Sequence, residues 1–426
     1  MSLLANGARA FAHRNYRLFF GGQLISLVGT WMQQVAQSWL VLQLTGDPFL
    51  LGIVAAMQFL PVTVLGLFGG LIADALPKRQ TLIATQVVQM TLAFILFGLT
   101  ATGRVEVWHI IVLAALLGIT NAVDMPTRQA FVVEMVGHED VGNAVALNSA
   151  IFNGARIVGP AIAGLTIGAF DISIAFLING ISFLAVIVAY SLMRDADLAS
   201  PPALSRPHSV GEVGRTLAEG IRYVRRTELV LLATVTVGLV SVFGMNFGVI
   251  IPSLAREVLH TDAAGFGFLM AASGIGSLVA ALSIAFSGRS TPAAIAGGAI
   301  VLGIAEIVAA SVHVFPLAML AMGFVGFGAI GMAATANTII QMAVPDELRG
   351  RVMSVYLTVF VGSTPLGGLL MGGIASRFGV DVSLAAGGVV CAGMGLVAAL
   401  WLRRIRAGAR RAADVTGPAQ VGRAEV

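Results

Sequence analysis

Apolar residues run through most of the chain in long uninterrupted stretches, and the polar residues gather in the short gaps between them. A stretch of about 20 apolar residues can cross a bilayer as a helix. Twelve such stretches are found, at about 17–44, 49–75, 80–101, 107–127, 143–169, 171–193, 228–253, 264–287, 292–312, 315–337, 351–376 and 380–402. In hydrocarbon every backbone N–H and C=O must find its partner within the protein, which predicts helices for all twelve. The first stretch is too long for a signal-peptide core and no evident cleavage site follows it, so it is expected to be retained as a span.

The gaps set the orientation. With the N-terminus inside, the inner segments hold Arg9, Arg14, Arg17, Lys78, Arg79, Arg128, the group from Arg194 to Arg226, Arg289, Arg349, Arg351 and the arginines from Arg403 onward, whereas the outer loops hold Arg104, Arg256 and Arg377. Loop bases concentrate on the cytoplasmic side. Both termini are therefore predicted to be cytoplasmic.

The longest gap divides the chain. Residues 1–193 are expected to form one six-helix bundle, 228–402 a second, 194–227 a cytoplasmic linker and 403–426 a tail that becomes disordered beyond about 412. Within the linker, Val210, Val213, Leu217, Ile221 and Val224 recur at helical spacing between charges, which predicts a surface amphipathic helix. The halves also repeat: a shift of 208 positions places Gly118 on Gly326, Val136 on Val344, Glu139 on Glu347, Gly142 on Gly350, Gly159 on Gly367 and Gly164 on Gly372. Paired six-span repeats are a transporter architecture, with the solute site at the midplane between them. The fold class is thus an all-α membrane protein of twelve transmembrane helices in two pseudo-symmetric six-helix bundles.

Composition agrees and removes other classes. The 426 residues are 57% hydrophobic and 11% charged, against about 25% charged in soluble proteins. The formal charge of +4 comes from bases that flank apolar stretches, so no nucleic-acid partner is expected. Cys391 is the sole cysteine and is expected to be a packing residue. Lys78 is the sole lysine and lies in no Gly-x-x-x-x-Gly-Lys-Ser/Thr loop, so ATP is not expected to drive this chain. A Gly-x-Gly-x-x-Gly at Gly326, Gly328 and Gly331 lies inside a span with no strand before it and is expected to serve helix packing. With no clustered nucleophile, metal set or triad, neither an enzyme nor a cofactor is expected.

Several polar residues lie within spans. Gln23, Ser26, Thr30, Gln34 and Gln37 share one face of the first span and are expected either to line a cavity or to bond a neighbouring helix. Arg156 falls roughly ten residues into the fifth span, about 15 Å from its cytoplasmic end, where an arginine must be hydrated or paired. Asp124 is the nearest acidic candidate, with Asn121 and Asn153 as neutral ones. On one reading Asp124 pairs with Arg156 and takes up a proton when substrate arrives; on the other it joins Pro126 and Arg128 in a helix-end network. Glu306 in the ninth span is expected either to couple protons or to be a protonated structural residue. Trp31 and Trp39 are expected to serve packing or the membrane interface.

Two short motifs carry a resemblance. In "GGLIADALPKRQTL", Gly70, Asp74, Lys78 and Arg79 match part of the Gly-x-x-x-Asp-Arg-x-Gly-Arg-Arg motif of the major facilitator superfamily, with Ala75 and Pro77 departing from it. This loop is expected either to latch one conformation or simply to end a helix and set topology. Gly154, Gly159, Pro160 and Gly164 resemble the Gly-Pro antiporter motif of exporters in that superfamily, with the first spacing one residue longer. They are expected either to shape a seal or hinge, or to serve packing. Together with "RNYRLFFGGQLISLVGTWMQQVAQSWLVLQLTGDPFLLG" and "DMPTRQAFVVEMV", these motifs resemble the branch that includes the bacterial enterobactin exporter and related macrolide and multidrug exporters. The resemblance implies proton-driven efflux of a small organic molecule (a siderophore, a macrolide or another drug-like solute) through the bacterial inner membrane, by a chain acting as a monomer within the lipid bilayer. An importer or uniporter, and more distantly a membrane-embedded enzyme or scaffold, are the alternatives.

Overall fold

The computed structural model describes residues 8–199, 210–287 and 290–416, except for the side chains of 67–75, 210–213, 216 and 409–416. All regular elements among them are helices: α1 (Arg14–Thr45), α2 (Pro48–Ala75), α3 (Lys78–Ala101), α4 (Val107–Ala169), α5 (Ile172–Ser191), α6 (Val210–Arg226), α7 (Glu228–Gly244), α8 (Phe247–Ser253), α9 (Ala263–Ser287), α10 (Pro292–Ser311), α11 (Phe315–Ala343), α12 (Asp346–Phe378) and α13 (Val380–Thr416), with short 3-10 and π turns between some of them. Ten helical segments are long and apolar enough to span a membrane. The 63-residue α4 holds two spans, and α1, whose hydropathy is diluted by its glutamines, completes the twelve. An even number of spans returns both chain ends to one face, termed here the terminal face; the opposite one is the far face.

Three local features differ from the sequence expectations. Residues 128–142, expected as a loop, are helical on both sides of a break at Gly137, whose φ of 70° and ψ of 178° turn the chain back into the membrane. That left-handed φ is one glycine adopts without steric cost. The seventh span is not one helix, since α7 ends at Gly244 and α8 begins at Phe247. Finally, helix α13 continues to Thr416, past the position where disorder is expected to begin, and residues 417–426 lie outside the described residues.

The sequence repeat reappears as a repeat of contacts. Gly118 packs against the Gln58 carbonyl of α2, and its counterpart Gly326 against the Ser273 carbonyl of α9. Gly159 packs on Trp31 of α1, and Gly367 on Val242 and Asn246 of the broken seventh span. Gly164 and Gly372 each meet the opposite half: a Cβ on either would fall 2.8 Å from a carbonyl oxygen, that of Ala263 or of Pro48. Glycine at these positions lets helix backbones touch where lipid supplies no hydrophobic drive for association.

Cohesion is unevenly distributed along the membrane normal. On the terminal side each half has its own core, with Tyr16, Phe19, Phe131 and Tyr190 in the first half and Val230, Ala299, Met332 and Tyr356 in the second. At the far face one core is continuous across both halves, joining Trp39, Leu42 and Ala163 to Ile251, Ala263 and Phe266. Trp39 stacks on Phe266 with ring centroids 5.9 Å apart. Arg256, in the π turn after α8, donates to the Leu42 carbonyl at the end of α1. The halves are thus sealed together at the far face.

The linker helix α6 docks on the second half. Val224 is buried there, Gly220 abuts the backbone of Arg351, Glu219 pairs with Arg351, and the Tyr223 hydroxyl donates to the Ala343 carbonyl.

Candidate functional site

On the terminal side of the far-face seal a cavity of about 350 Å³ lies between the halves. Its wall mixes amides and hydroxyls (Gln34, Gln37, Gln58, Ser363, Thr364) with large apolar groups (Trp31, Phe59, Phe152, Phe247, Met270, Phe360) from α1, α2, α4, α8, α9 and α12. Concave, mainly apolar walls with a few convergent polar groups suit a small organic ligand. Arg156 is the one charged side chain among the lining residues.

Of the two readings of Asp124, pairing with Arg156 is not what the structure shows. Asp124 lies elsewhere, and Asn153 donates to its own helix, to the Ser149 carbonyl at 2.8 Å. The Arg156 guanidinium instead sits over two ring faces, 5.9 Å from the centroid of Trp31 and 5.5 Å from that of Phe247. A cation over a ring face gains about 0.5–2 kcal/mol, depending on desolvation. Trp31 belongs to the first half and Phe247 to the second, so the guanidinium bridges the plane along which the halves meet. Trp31 also packs edge-on against Phe152, at 5.8 Å.

A second, smaller chamber of about 100 Å³ lies within the first half. The polar face of α1 forms one wall with Gln23, Ser26, Thr30, Gln33, Gln34 and Gln37, and Gln58, Gln86, Gln89, Asn121 and Asn179 complete it. Gln34, Gln37 and Gln58 line both spaces, so the chamber adjoins the central cavity. On this wall Gln23, a member of the predicted stripe, accepts from Arg128 Nη1 at 3.1 Å and the neighbouring Gln33 accepts from Asn179 Nδ2 at 2.6 Å, while Gln34 and Gln37 line both spaces.

Asp124 is fully buried immediately behind this chamber. Its Oδ2 accepts from Arg128 Nη2 at 2.6 Å, and its Oδ1 from Thr85 Oγ1 at 2.7 Å and Gln86 Nε2 at 2.9 Å. Arg128 also donates to Gln23 Oε1 at 3.1 Å. One turn separates positions 124 and 128 on α4, which puts the two charges on the same face. Asn121 accepts from Gln89 at 3.4 Å in the chamber, away from Arg156.

Glu306 is buried in the second half and lines neither space. It faces α13 and the end of α7, near Cys391 and Gly244. Its Oε2 has no hydrogen-bond partner among the described residues.

At the terminal face the bases of the loop motif are anchored within the first half. Lys78 pairs with Glu134 at 2.6 Å. Arg79 donates to the Tyr190 and Ser191 carbonyls at 2.7 and 2.8 Å and to Asp195 at 2.8 Å, tying α3 to the end of α5. The side chains of Gly70 and Asp74 lie outside the described residues. Of the Gly-Pro residues, Gly154 faces open space, whereas Gly159 packs on α1 and the Pro160 carbonyl and Gly164 pack on Gly267 of α9.

Comparison with known proteins fits this geometry. The transmembrane secretion effector family, a branch of the major facilitator superfamily, matches residues 6–421. The chain belongs to this family. It is a multi-pass membrane transporter of the major facilitator fold. It is 27% identical to the staphyloferrin A transporter of Staphylococcus aureus, over 85% of this chain and 90% of that one. It is 29% identical to the multidrug efflux pump Tap of Mycolicibacterium fortuitum, over 87% and 91%, and 19% identical to macrolide efflux protein A of Streptococcus pyogenes, over 87% and 92%. Among solved structures, a bacterial homologue of the human lysosomal transporter Spinster, in its inward-facing and unoccupied conformation, superposes with a TM-score of 0.70 at 12% identity, over 91% of this chain and 96% of that one. A mutant of the peptide transporter POT superposes with a TM-score of 0.75 at 12% identity, over 92% and 95%. These two likenesses concern the fold.

Three amides among these lining residues carry recognisable signals in the sequence. Gln58 is a lone amide in an apolar span, and Gln86 and Gln89 stand three apart on α3 beside Thr85. Trp31 and Phe247 carry no such signal, because an aromatic residue in a span ordinarily packs or sits at an interface.

Proposed function

We propose that this transporter exports a small organic solute from the cytoplasm by alternating access, driven by proton antiport, with the solute held in the central cavity. The observation that carries this reading is a ligand-sized cavity at the plane between two pseudo-symmetric bundles, closed toward one face by glycine packing. Alternating access requires the two halves to exchange that closure for one at the other face. The excess of terminal-face bases supports assigning that face to the cytoplasm. Tap and macrolide efflux protein A are named as efflux proteins, which supports the direction.

For coupling, two buried carboxyl groups are available among the described residues, Asp124 and Glu306. Asp124 is bound by Gln86 and Arg128, which line the glutamine chamber, and that chamber adjoins the cavity. Glu306 has no comparable route. Asp124 is therefore assigned as the proton-exchanging group and Arg128 as the partner that must release it. Everted vesicles containing the protein are expected to accumulate amphipathic dyes when the lumen is acidified and to lose them on addition of a proton ionophore. Accumulation indifferent to the ionophore would reject antiport, and transport solely in the opposite direction would reject export.

A further inference from the structure

We propose that the cavity selects organic anions, a carboxylate or similar oxyanion on an apolar or aromatic body, and that Arg156 is the residue that binds the anionic group. This rests on taking the central cavity as the solute site.

The two arginines of α4 provide an internal contrast. Arg128 has its charge neutralised by Asp124 and a further acceptor in Gln23. Arg156 faces the cavity with no acidic residue among the described lining residues. Its close neighbours are the faces of Trp31 and Phe247. Ring faces attract a cation but leave the five N–H donors of a guanidinium without strong acceptors. The hydrogen-bonding edge of Arg156 has no protein acceptor among the described residues.

A planar oxyanion completes that arrangement. Carboxylate and guanidinium form paired, parallel hydrogen bonds that are strong in a site shielded from bulk water. Phe59, Phe152, Phe360 and Met270 then offer surface to an apolar body. An organic cation of the same size would bring like charges together with no carboxylate in the wall to offset them. The same site also reaches the seal: the Arg156 carbonyl lies 3.3 Å from where a Cβ on Gly274 of α9 would sit, two turns from Gly164. An anion captured by Arg156 therefore acts on a helix segment that belongs to the far-face closure.

The test uses two dyes sharing a xanthene ring system, anionic carboxyfluorescein and cationic rhodamine 6G. Binding to the purified full-length protein is read by fluorescence anisotropy, and transport in proteoliposomes is read separately. Wild-type protein is expected to bind carboxyfluorescein at least about tenfold more tightly than rhodamine 6G. Arg156→Gln is expected to weaken carboxyfluorescein binding about tenfold or more without weakening rhodamine 6G, the scale of a charge-assisted hydrogen bond. Arg156→Lys should keep the order of preference. Equal or tighter binding of rhodamine 6G by wild type, no binding of either dye, or unchanged carboxyfluorescein affinity in a folded Arg156→Gln protein overturns the proposal. The wild-type comparison decides even where the variant does not fold. Arg156-dependent binding of carboxyfluorescein without transport of either dye would uphold the anion site and reject the export reading. Export of rhodamine 6G with no binding of carboxyfluorescein would do the reverse.

Discussion

Arg128 and Asp124 stand one turn apart on α4 with 2.6 Å between Nη2 and Oδ2, the carboxylate at 0% exposure and the guanidinium at 27%. Two helices contribute to this pair, because Thr85 and Gln86 on α3 bind the other carboxylate oxygen. Removing one partner of a buried ion pair leaves the other charge uncompensated, at a cost of about 3–5 kcal/mol. Asp124→Asn is expected to lower the melting temperature of the detergent-solubilised protein markedly. The double variant Asp124→Asn with Arg128→Gln should recover part of the loss. A loss in the double variant equal to the sum of those in Asp124→Asn and Arg128→Gln would show that the pair acts as two independent groups.

The same pair is assigned to coupling, and Glu306 is the control. Asp124→Asn cannot exchange a proton, so uphill accumulation in response to a pH gradient should vanish while counterflow of solute down its own gradient persists. Glu306→Gln keeps the shape of its site and is expected to leave gradient-driven accumulation within about twofold of wild type. Loss of accumulation in Glu306→Gln with intact counterflow would move the proton site to the second half.

The far-face seal depends on backbone contact at Gly164 and Gly372. An alanine at either position would place its Cβ 2.8 Å from a carbonyl oxygen of the other half, and such overpacking costs about 1–3 kcal/mol. The cost applies solely while that face is closed, so the substitution should shift the population toward opening there by about tenfold. Spin-label distances between α2 and α12 across the far face should lengthen in Gly164→Ala and Gly372→Ala. Unchanged distances would mean that the seal does not depend on these glycines.

Gly137 turns α4 back on itself at φ 70°. With ψ at 178°, an L-residue there enters a backbone region essentially restricted to glycine, at a cost of about 1–3 kcal/mol. Gly137→Val and Gly137→Asn are both expected to reduce folded yield and melting temperature, because asparagine's tolerance of the left-handed helical region does not extend to this ψ. Space is not the issue, since nothing lies within 4 Å of a Cβ built at this position.

Much of the fold was legible because hydrocarbon is an undemanding solvent to read: a span must be long, apolar and helical whatever it packs against. The polar stripe of α1 was legible for the related reason that amides in a span require a wet face or a partner, and Gln34 and Gln37 line both spaces. Gly159 and Gly164 stood out as smooth positions, and they meet α1 and α9. The partner of Asp124 was another matter. Arg128 and Arg156 are both candidates along the sequence, and what separates them is the rotation of α4 on either side of Gly137, which sends one toward α3 and the other toward the midline.

The sequence by itself determined the number of spans, their repeat in two halves and the positions where small or polar residues break the apolar pattern, because each follows from local composition and the membrane's demand for satisfied backbone groups. Tertiary structure decided which polar residues meet. It put Asp124 against Arg128 and Thr85, set Arg156 between rings from opposite halves, and withdrew Glu306 from the cavity. Those outcomes depend on helix rotation and on which helices adjoin. Rotating a helix by 100° moves a side chain from one neighbour to the next while leaving hydropathy and spacing unchanged.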